Sequence, residues 1–315
     1  MKELKVMKLS HTTCYATRPK LIKRAEIMNA PTVSFEFFPP QNLEASFRLW
    51  DTVQTLAPLA PKFVSVTYGA GGTTRDLTRD AVATLHKSSG LNVAAHLTCV
   101  NATKEETLAI AADFSKSGVK ELVALRGDAP KGESKFTPCE GGFANSVELI
   151  EALAKTGDFK IRVGAYPDRH PEAATSRADI DWLKAKIDAG ASEAITQFFF
   201  EADTFLRFRD ECVKAGIDAP ILPGILPIEN WKGTRNFAKR CGTLVPTWLE
   251  DAFEKAERDG RSDLLATAVC TELCSELMSE GVDALHFYTL NRPELTRDVC
   301  HALGVVPQVD LQNVA

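Results

Sequence analysis

The sequence predicts an α/β fold, a single (β/α)8 TIM barrel with an N-terminal extension and extra helices ahead of the last strand. Three observations carry that prediction. Short runs rich in Val, Ile, Phe and Ala recur eight times, each followed by a loop and a segment with helical spacing. Successive run ends are mostly about 30 residues apart, the length of one barrel unit. A chain of 315 residues with 44% hydrophobic and 25% charged content can fill one substantial core, since such barrels commonly run to roughly 250 residues. Residues 1–30 are expected to form an arm, 31–305 the barrel and 306–315 a tail.

The first strand ends near Phe38, where Pro39 and Pro40 stop it. KFVSVTY, LNVAAHL, ELVALR and KIRVGAY place the next four ends near Tyr68, Leu97, Arg126 and Tyr166. EAITQFF, APILPGI and DALHFYT place the last three near Phe199, Ile225 and Tyr288. Between them, helical spacing covers 44–57, 75–87, 103–117, 145–156, 176–189, 202–215 and 262–280. Gly90, Gly118, Gly190, Gly216 and Gly281 follow these segments as C-caps should. The long interval 229–281 must hold more than one helix.

Charge and cysteine content narrow the partners. Thirty-seven Lys+Arg against 42 Asp+Glu leave a net charge of −5, with no dense basic stripe outside the first 24 residues, so nucleic acid is not an expected partner. No apolar run approaches the ~20 residues that span a bilayer, and a cytoplasmic location is expected. The eight cysteines are scattered without a CxxC pair, which fits reduced thiols. Cys270 and Cys274 stand one helical turn apart with no partner ligands nearby, so no metal site is expected.

Within VSFEFFPP, strand alternation puts Ser34, Glu36 and Phe38 on one face and Val33, Phe35 and Phe37 on the other. Glu36 therefore faces inward wherever the strand is covered on both sides. Burial disfavours a carboxylate anion, so its pKa is expected to rise, leaving an acid able to donate a proton near neutral pH. A glutamate held in a structural ion pair is the alternative.

In a barrel the site lies at the C-terminal strand ends. That filter collects Glu36, Thr67, Tyr68, His96, Arg126, Asp128, Tyr166, His170, Gln197, Tyr288 and Arg292. Lys62, Lys120 and Lys160 sit at strand starts instead, which disfavours Schiff-base chemistry. The first strand has no histidine and no GxSxG elbow is present, so hydrolase chemistry is disfavoured. Gly69 to Gly72 matches no phosphate loop and reads as a tight turn that lets a ring approach. An aromatic, amide-rich lining with one acid suits a flat heteroaromatic ligand.

SFEFFPP (34–40), FVSVTYGA (63–70), HLTC (96–99), ALRGD (124–128), AYPDRHPEA (165–173), ITQFFF (195–200), PGILPI (223–228) and HFYTLNR (286–292) together closely resemble the methylenetetrahydrofolate reductase family. The resemblance spans about residues 31–305. It implies a flavoprotein that carries FAD, takes electrons from NADH or NADPH and reduces methylenetetrahydrofolate to the 5-methyl form, a reaction of one-carbon metabolism and methionine biosynthesis. It also implies a homo-oligomer. By the same resemblance Glu36 protonates folate N10, Asp128 lies near the pterin and flavin, and Gln197, Phe237 and Arg292 bind substrate. FAD is implied at Thr67, Tyr68, His96, Arg126, Gly127, Asp128, Phe143, Ala144, Tyr166, His170, Asp179 and Lys186. Trp182 and Ala185 stand where many bacterial members have asparagine and arginine, Phe143 replaces a tyrosine and Gly233 a glutamine. The altered helix keeps open direct hydride transfer from NAD(P)H to the folate on the same fold, and a silent ligand-binding barrel is the reading from another class.

Overall fold

A computed structural model describes residues 29–68, 75–129 and 136–307. The expected turn Gly69 to Gly72, nearly all of the N-terminal arm and most of the C-terminal tail lie outside the described residues. Strands β1 (Thr32–Phe37), β2 (Val64–Val66), β3 (Val93–Thr98), β4 (Glu121–Leu125), β5 (Lys160–Ala165) and β6 (Glu193–Thr196) pair in parallel in chain order, and β1 also pairs with β9 (Ala284–Tyr288). The seventh position of the barrel is split. β7 (Ile221–Leu222) pairs with β6, while β8 (Gly224–Ile225) pairs with β9.

Pro223 separates these two pieces because it has no N–H to donate to a ladder. Its carbonyl still accepts from the His286 N–H at 3.0 Å, and the Gly224 N–H donates to Thr196 Oγ1 at 2.9 Å. Among the described residues, nine short strands therefore make an eight-position barrel. The sixth strand ends at Thr196, three residues before the expected end near Phe199, because the chain turns there and Phe198 and Phe199 leave the ladder to pack between elements.

Helices α1 (Leu43–Leu56), α2 (Arg75–Ser89), α3 (Lys104–Lys116), α4 (Ser146–Ala154), α5 (Ser176–Asp188) and α6 (Ala202–Lys214) follow the expected segments. Side-chain caps begin several of them: Asn42 Oδ1 accepts from Ala45 N–H, Thr103 and Glu106 close a capping box, and Asn145 and Thr175 cap the next two. The long interval holds α7 (Trp231–Cys241), α8 (Thr247–Asp259) and α9 (Ser262–Ser279), and α10 (Pro293–Ala302) follows the last strand. No described helix is long and apolar enough to cross a membrane.

Alternation sorts the strand residues as expected. Val33, Phe35 and Phe37 pack outward against the helices in the main core. Phe63, Ala94, Val123, Ile195 and Leu222 form a separate apolar cluster within the barrel. Beneath it, at the strand starts, Arg162 lies fully buried against Phe63, 3.6 Å from its ring centroid, and pairs with both Glu193 and Glu121. Lys62 and Lys160 reach Glu193 from the rim at 3.3 and 3.4 Å. Lys62 and Lys160 thus belong to a charged plug at the end of the barrel opposite the candidate site, while Lys120 bonds the Ser115 hydroxyl on α3 instead.

At the other end, β1 is tied to the loop after the last strand. Thr289 Oγ1 donates to the Glu36 carbonyl at 2.7 Å, and Asn291 exchanges two hydrogen bonds with the Phe38 backbone, at 2.9 and 3.0 Å. Leu290 and Asn291 accept left-handed φ values of 51° and 54° to make that turn. The backbone carrying Glu36 is held by the loop after the last strand.

Candidate active site

Two cavities open above the C-terminal strand ends, of about 680 and 560 Å³. They share a wall made of Tyr68, Leu125, Asp128, Gly164, Ala165, Tyr166 and His170. The smaller has Glu36, Thr67, His96, Gln197, Phe237 and Tyr288 on its lining, and the larger has Arg126, Gly127, Ala144, Asp179, Trp182 and Lys186. The fold thus brings to one cleft most of the residues expected from β1 through β9.

Glu36 contradicts one expectation. Its carboxylate Oε2 lies 3.3 Å from His96 Nε2, 3.8 Å from His286 Nε2 and 3.5 Å from the Ser65 hydroxyl that donates to it. Burial works to raise its pKa, but the charge of His96 and the hydrogen bonds and charge offered by His286 and His96 outweigh it, holding the carboxyl down to about 2. The site therefore favours the anion over the neutral acid that burial alone would give.

Across the cleft, Gln197 lines the smaller cavity and its Oε1 accepts from the Phe198 N–H at 3.1 Å. Phe237 rests on Phe198 with ring centroids 5.1 Å apart, and the Arg240 guanidinium lies 5.5 Å from the Phe237 ring. The Tyr288 hydroxyl donates to the Thr196 carbonyl at 2.6 Å. That reach requires glycine at 224: a Cβ there would stand 2.1 Å from the Thr196 oxygen and 2.6 Å from the Tyr288 ring.

The larger cavity is bordered by cations. Arg126 makes a two-pronged pair with Glu172, at 2.6 and 3.0 Å, and its guanidinium lies 5.4 Å from the Phe136 ring centroid. Gly127 takes φ +85°, and a Cβ there would be 2.4 Å from Val100 Cγ2, so only glycine lets the chain pass. Lys186 donates to the Gly164 carbonyl at 2.8 Å, and burial brings its pKa down to about 8. Asp179 accepts from the His170 N–H at 3.0 Å, and the His170 ring meets Tyr166 edge-on at 4.5 Å. Burial and the Asp128 charge push the Tyr166 hydroxyl up to about 12.

Two expected residues lie elsewhere. Phe143 is buried in the main core with the Lys104 ammonium 5.3 Å from its ring, so it is the neighbouring Ala144 that borders the cavity. Arg292 is exposed at the start of α10, beyond Leu290, and does not line the cleft. Arg240, Cys241, Pro171 and Glu172 join the walls although no strand-end rule selects them. Arg240 and Cys241 come from α7, one turn beyond Phe237, and that helical spacing was the available signal. His286 also escaped, because it stands behind Glu36 and does not line the cleft.

Known proteins resemble this chain over most of its length. The methylenetetrahydrofolate reductase family model matches residues 20–304. The 5,10-methylenetetrahydrofolate reductase of Pectobacterium carotovorum subsp. carotovorum is 45% identical over 288 residues, covering 90% of this chain and 94% of that one. That of Escherichia coli K12 is 44% identical over 284 residues with the same coverage. Among solved structures, a Clostridium thermocellum protein described as binding two copies of 5-methyl-5,6,7,8-tetrahydrofolic acid superposes with a TM-score of 0.58. At 16% identity, with 88% of this chain and 95% of that one covered, it speaks to the fold.

Proposed function

The chain belongs to the methylenetetrahydrofolate reductase family, and on that premise we propose that it reduces 5,10-methylenetetrahydrofolate to 5-methyltetrahydrofolate with electrons from NADH or NADPH passed through FAD. The observation that carries this reading is the double cleft: a cation-bordered cavity and a carboxylate-bearing one meet along a shared aromatic wall.

The larger cavity fits FAD. Lys186 is a buried ammonium with three donors and one protein acceptor in hydrogen-bond reach, the Gly164 carbonyl, so an anion beside it supplies what the fold leaves short. Arg126 offers a second cation, and Gly127 permits close backbone approach. Tyr166, His170 and Trp182 present rings. When bound there, FAD supplies the two-electron carrier between nicotinamide and folate.

The chain's own groups do the rest. Phe237 and Gln197 face the smaller cavity as a stacking surface and an amide able to bond a pterin edge. Glu36, at its base, delivers a proton to folate N10, which opens the five-membered ring to an iminium whose methylene carbon is then reduced. Asp128 borders both cavities, where its negative charge favours that cation.

Folate-dependent NAD(P)H oxidation by purified protein supplied with FAD tests the reading. A protein that shows no flavin absorbance and stays inactive with added FAD overturns it, and turnover with no flavin present assigns direct hydride transfer instead.

Trp182 gives a binding test of its own. Trp182 is 44% exposed although it lines the cavity, so part of it is open to a planar ligand. Titrating FAD into the flavin-free protein is expected to quench tryptophan fluorescence. Trp182→Ala should remove most of that quenching and weaken FAD by about 0.5–1.5 kcal/mol, the scale of one aromatic stacking contact. Unchanged quenching and affinity would place the flavin's rings away from this helix.

A further inference from the structure

Arg240 takes no part in the chemistry described above, yet it stands on the wall of the smaller cavity. Its neighbours on α7 do not: Lys232, Arg235 and Lys239 lie outside that wall, and Arg235 is paired with Glu250 at 2.6 Å. Among the described residues Arg240 makes no ion pair and no hydrogen bond. Its guanidinium lies instead 5.5 Å from the ring centroid of Phe237, one turn earlier in the same helix. Helical side chains lean toward the preceding turn, so the backbone favours this placement. The ring holds the guanidinium by cation–π attraction and leaves its N–H donors open. A cation in the last turn also suits the helix dipole, but Lys239 offers one from outside the cavity, so the dipole does not account for a guanidinium on the cavity wall.

We propose, resting on the reading of the smaller cavity as the folate site, that Arg240 is a specificity-determining residue that takes a carboxylate of the folate's glutamyl tail at the cavity mouth. A folate is polar along its length. The pterin and N10 form the reacting end, and the carboxylates lie beyond the aminobenzoyl ring. The cavity is graded in the same sense: Glu36, which must reach N10, is half-buried at its base, whereas Arg240 and Phe38 are exposed at its rim. Among the described residues Arg240 is the only lysine or arginine on this lining, and Arg292, the cation expected to hold the tail, does not line the cleft.

The other charges on the wall favour the same orientation. Glu36 and Asp128 are both acids, so a tail carrying carboxylates is repelled from them and drawn to the guanidinium. Cys241, next to Arg240, feels both signs: burial and the Asp128 charge push its thiol up to about 11, and Arg240 acts against them. With the tail held at the rim beside Phe237, the pterin end is left to point toward Gln197 and Glu36. The electron donor visits the same cleft and carries phosphates, which a free guanidinium also suits, so the experiment must separate the two anions.

Equilibrium titration of the purified protein, supplied with FAD, tests the contact without turnover. Two ligands are compared: 5-methyltetrahydrofolate, and 5-methyltetrahydropteroate, which lacks the glutamyl group. Arg240→Met is expected to weaken the folate by about 3- to 20-fold, the range between an exposed ion pair and a charge-assisted hydrogen bond, and to leave the Kd of the pteroate at its wild-type value. Arg240→Lys should recover part of the loss, and the loss should shrink as ionic strength rises. In the folate half-reaction the penalty should fall on KM rather than on the saturating rate. Equal weakening of both ligands, or of neither, overturns the proposal and leaves folate reduction standing. A loss confined to NADH or NADPH assigns the guanidinium to a dinucleotide phosphate and overturns it as well. Wild-type protein that binds neither ligand refutes the folate reading of the cavity, and Arg240's role falls with it.

Discussion

Glu36→Gln is expected to slow the folate half-reaction by about 10²–10⁴, or roughly 3–5 kcal/mol of barrier, while NAD(P)H continues to bleach the flavin at close to its normal rate. The substitution keeps the side chain's volume, and the Gln amide can still meet His96, His286 and Ser65, which now surround Oε2. The hydrogen bonds that fix this position, from the Thr289 hydroxyl and N–H to the Glu36 carbonyl, do not involve the Glu36 side chain. What the amide cannot do is release a proton to the substrate and take one back. A stopped-flow measurement of each half-reaction alone separates the cases. If both halves slow together, Glu36 holds the barrel's architecture and another group supplies the proton.

The position of Glu36 was legible in eight residues; its protonation was not. Strand alternation is local, so facing inward could be read directly, and the outward packing of Val33, Phe35 and Phe37 agrees. The pKa depends on what stands opposite. His96 and His286 arrive from β3 and β9, the latter paired with Ser34 across the β1–β9 ladder although 252 residues away in the chain. Burial alone argued for a neutral acid, and two imidazoles reversed the sign.

Other features divide along the same line. Eight strand positions and seven helices emerged from periodicity, because each unit must bury a stripe of its own. The break at Pro223 was written in the sequence as a missing donor, yet its consequence, one barrel position shared by two short strands, needs the neighbours β6 and β9 on either side. Phe143 and Ala144 show the limit of transferring a motif: adjacent residues point in opposite directions, and it is Ala144 that borders the cavity. Trp182 was flagged as a departure from the family pattern, but its ring at the cavity wall became visible only with α5 in place.

Arg162→Met is expected to destabilise the fold by about 3–5 kcal/mol, the scale for removing one partner of a buried ion pair. Arg162 is the one member of the plug that is fully buried and touches both Glu121 and Glu193, and it also covers the Phe63 ring. Without it, Glu193 keeps the two lysines at 3.3 and 3.4 Å, both well exposed to water, and Glu121 keeps the Asn92 amide at 2.7 Å. Those contacts are weaker compensation for a carboxylate whose side chain is 3% exposed. Against a total stability of roughly 5–15 kcal/mol, the loss is easily measured in a denaturant titration. Its pH dependence identifies the cause. Burial acts to raise the Glu193 pKa, and Arg162, Lys160 and Lys62 together pull it below its ordinary value. A carboxylate depressed in the folded state contributes stability above its unfolded pKa and loses it as pH falls through the folded value. The gap between wild type and Arg162→Met should therefore be widest near neutral pH and narrow in acid, where the variant's stranded Glu193 becomes protonated. Pairing the substitution with Glu193→Leu should recover much of the loss, because no buried anion then remains at that position. A single variant that loses under 1 kcal/mol, or a gap that stays constant with pH, would mean that Arg162 acts through packing on Phe63 and that the charges of the plug cancel without it.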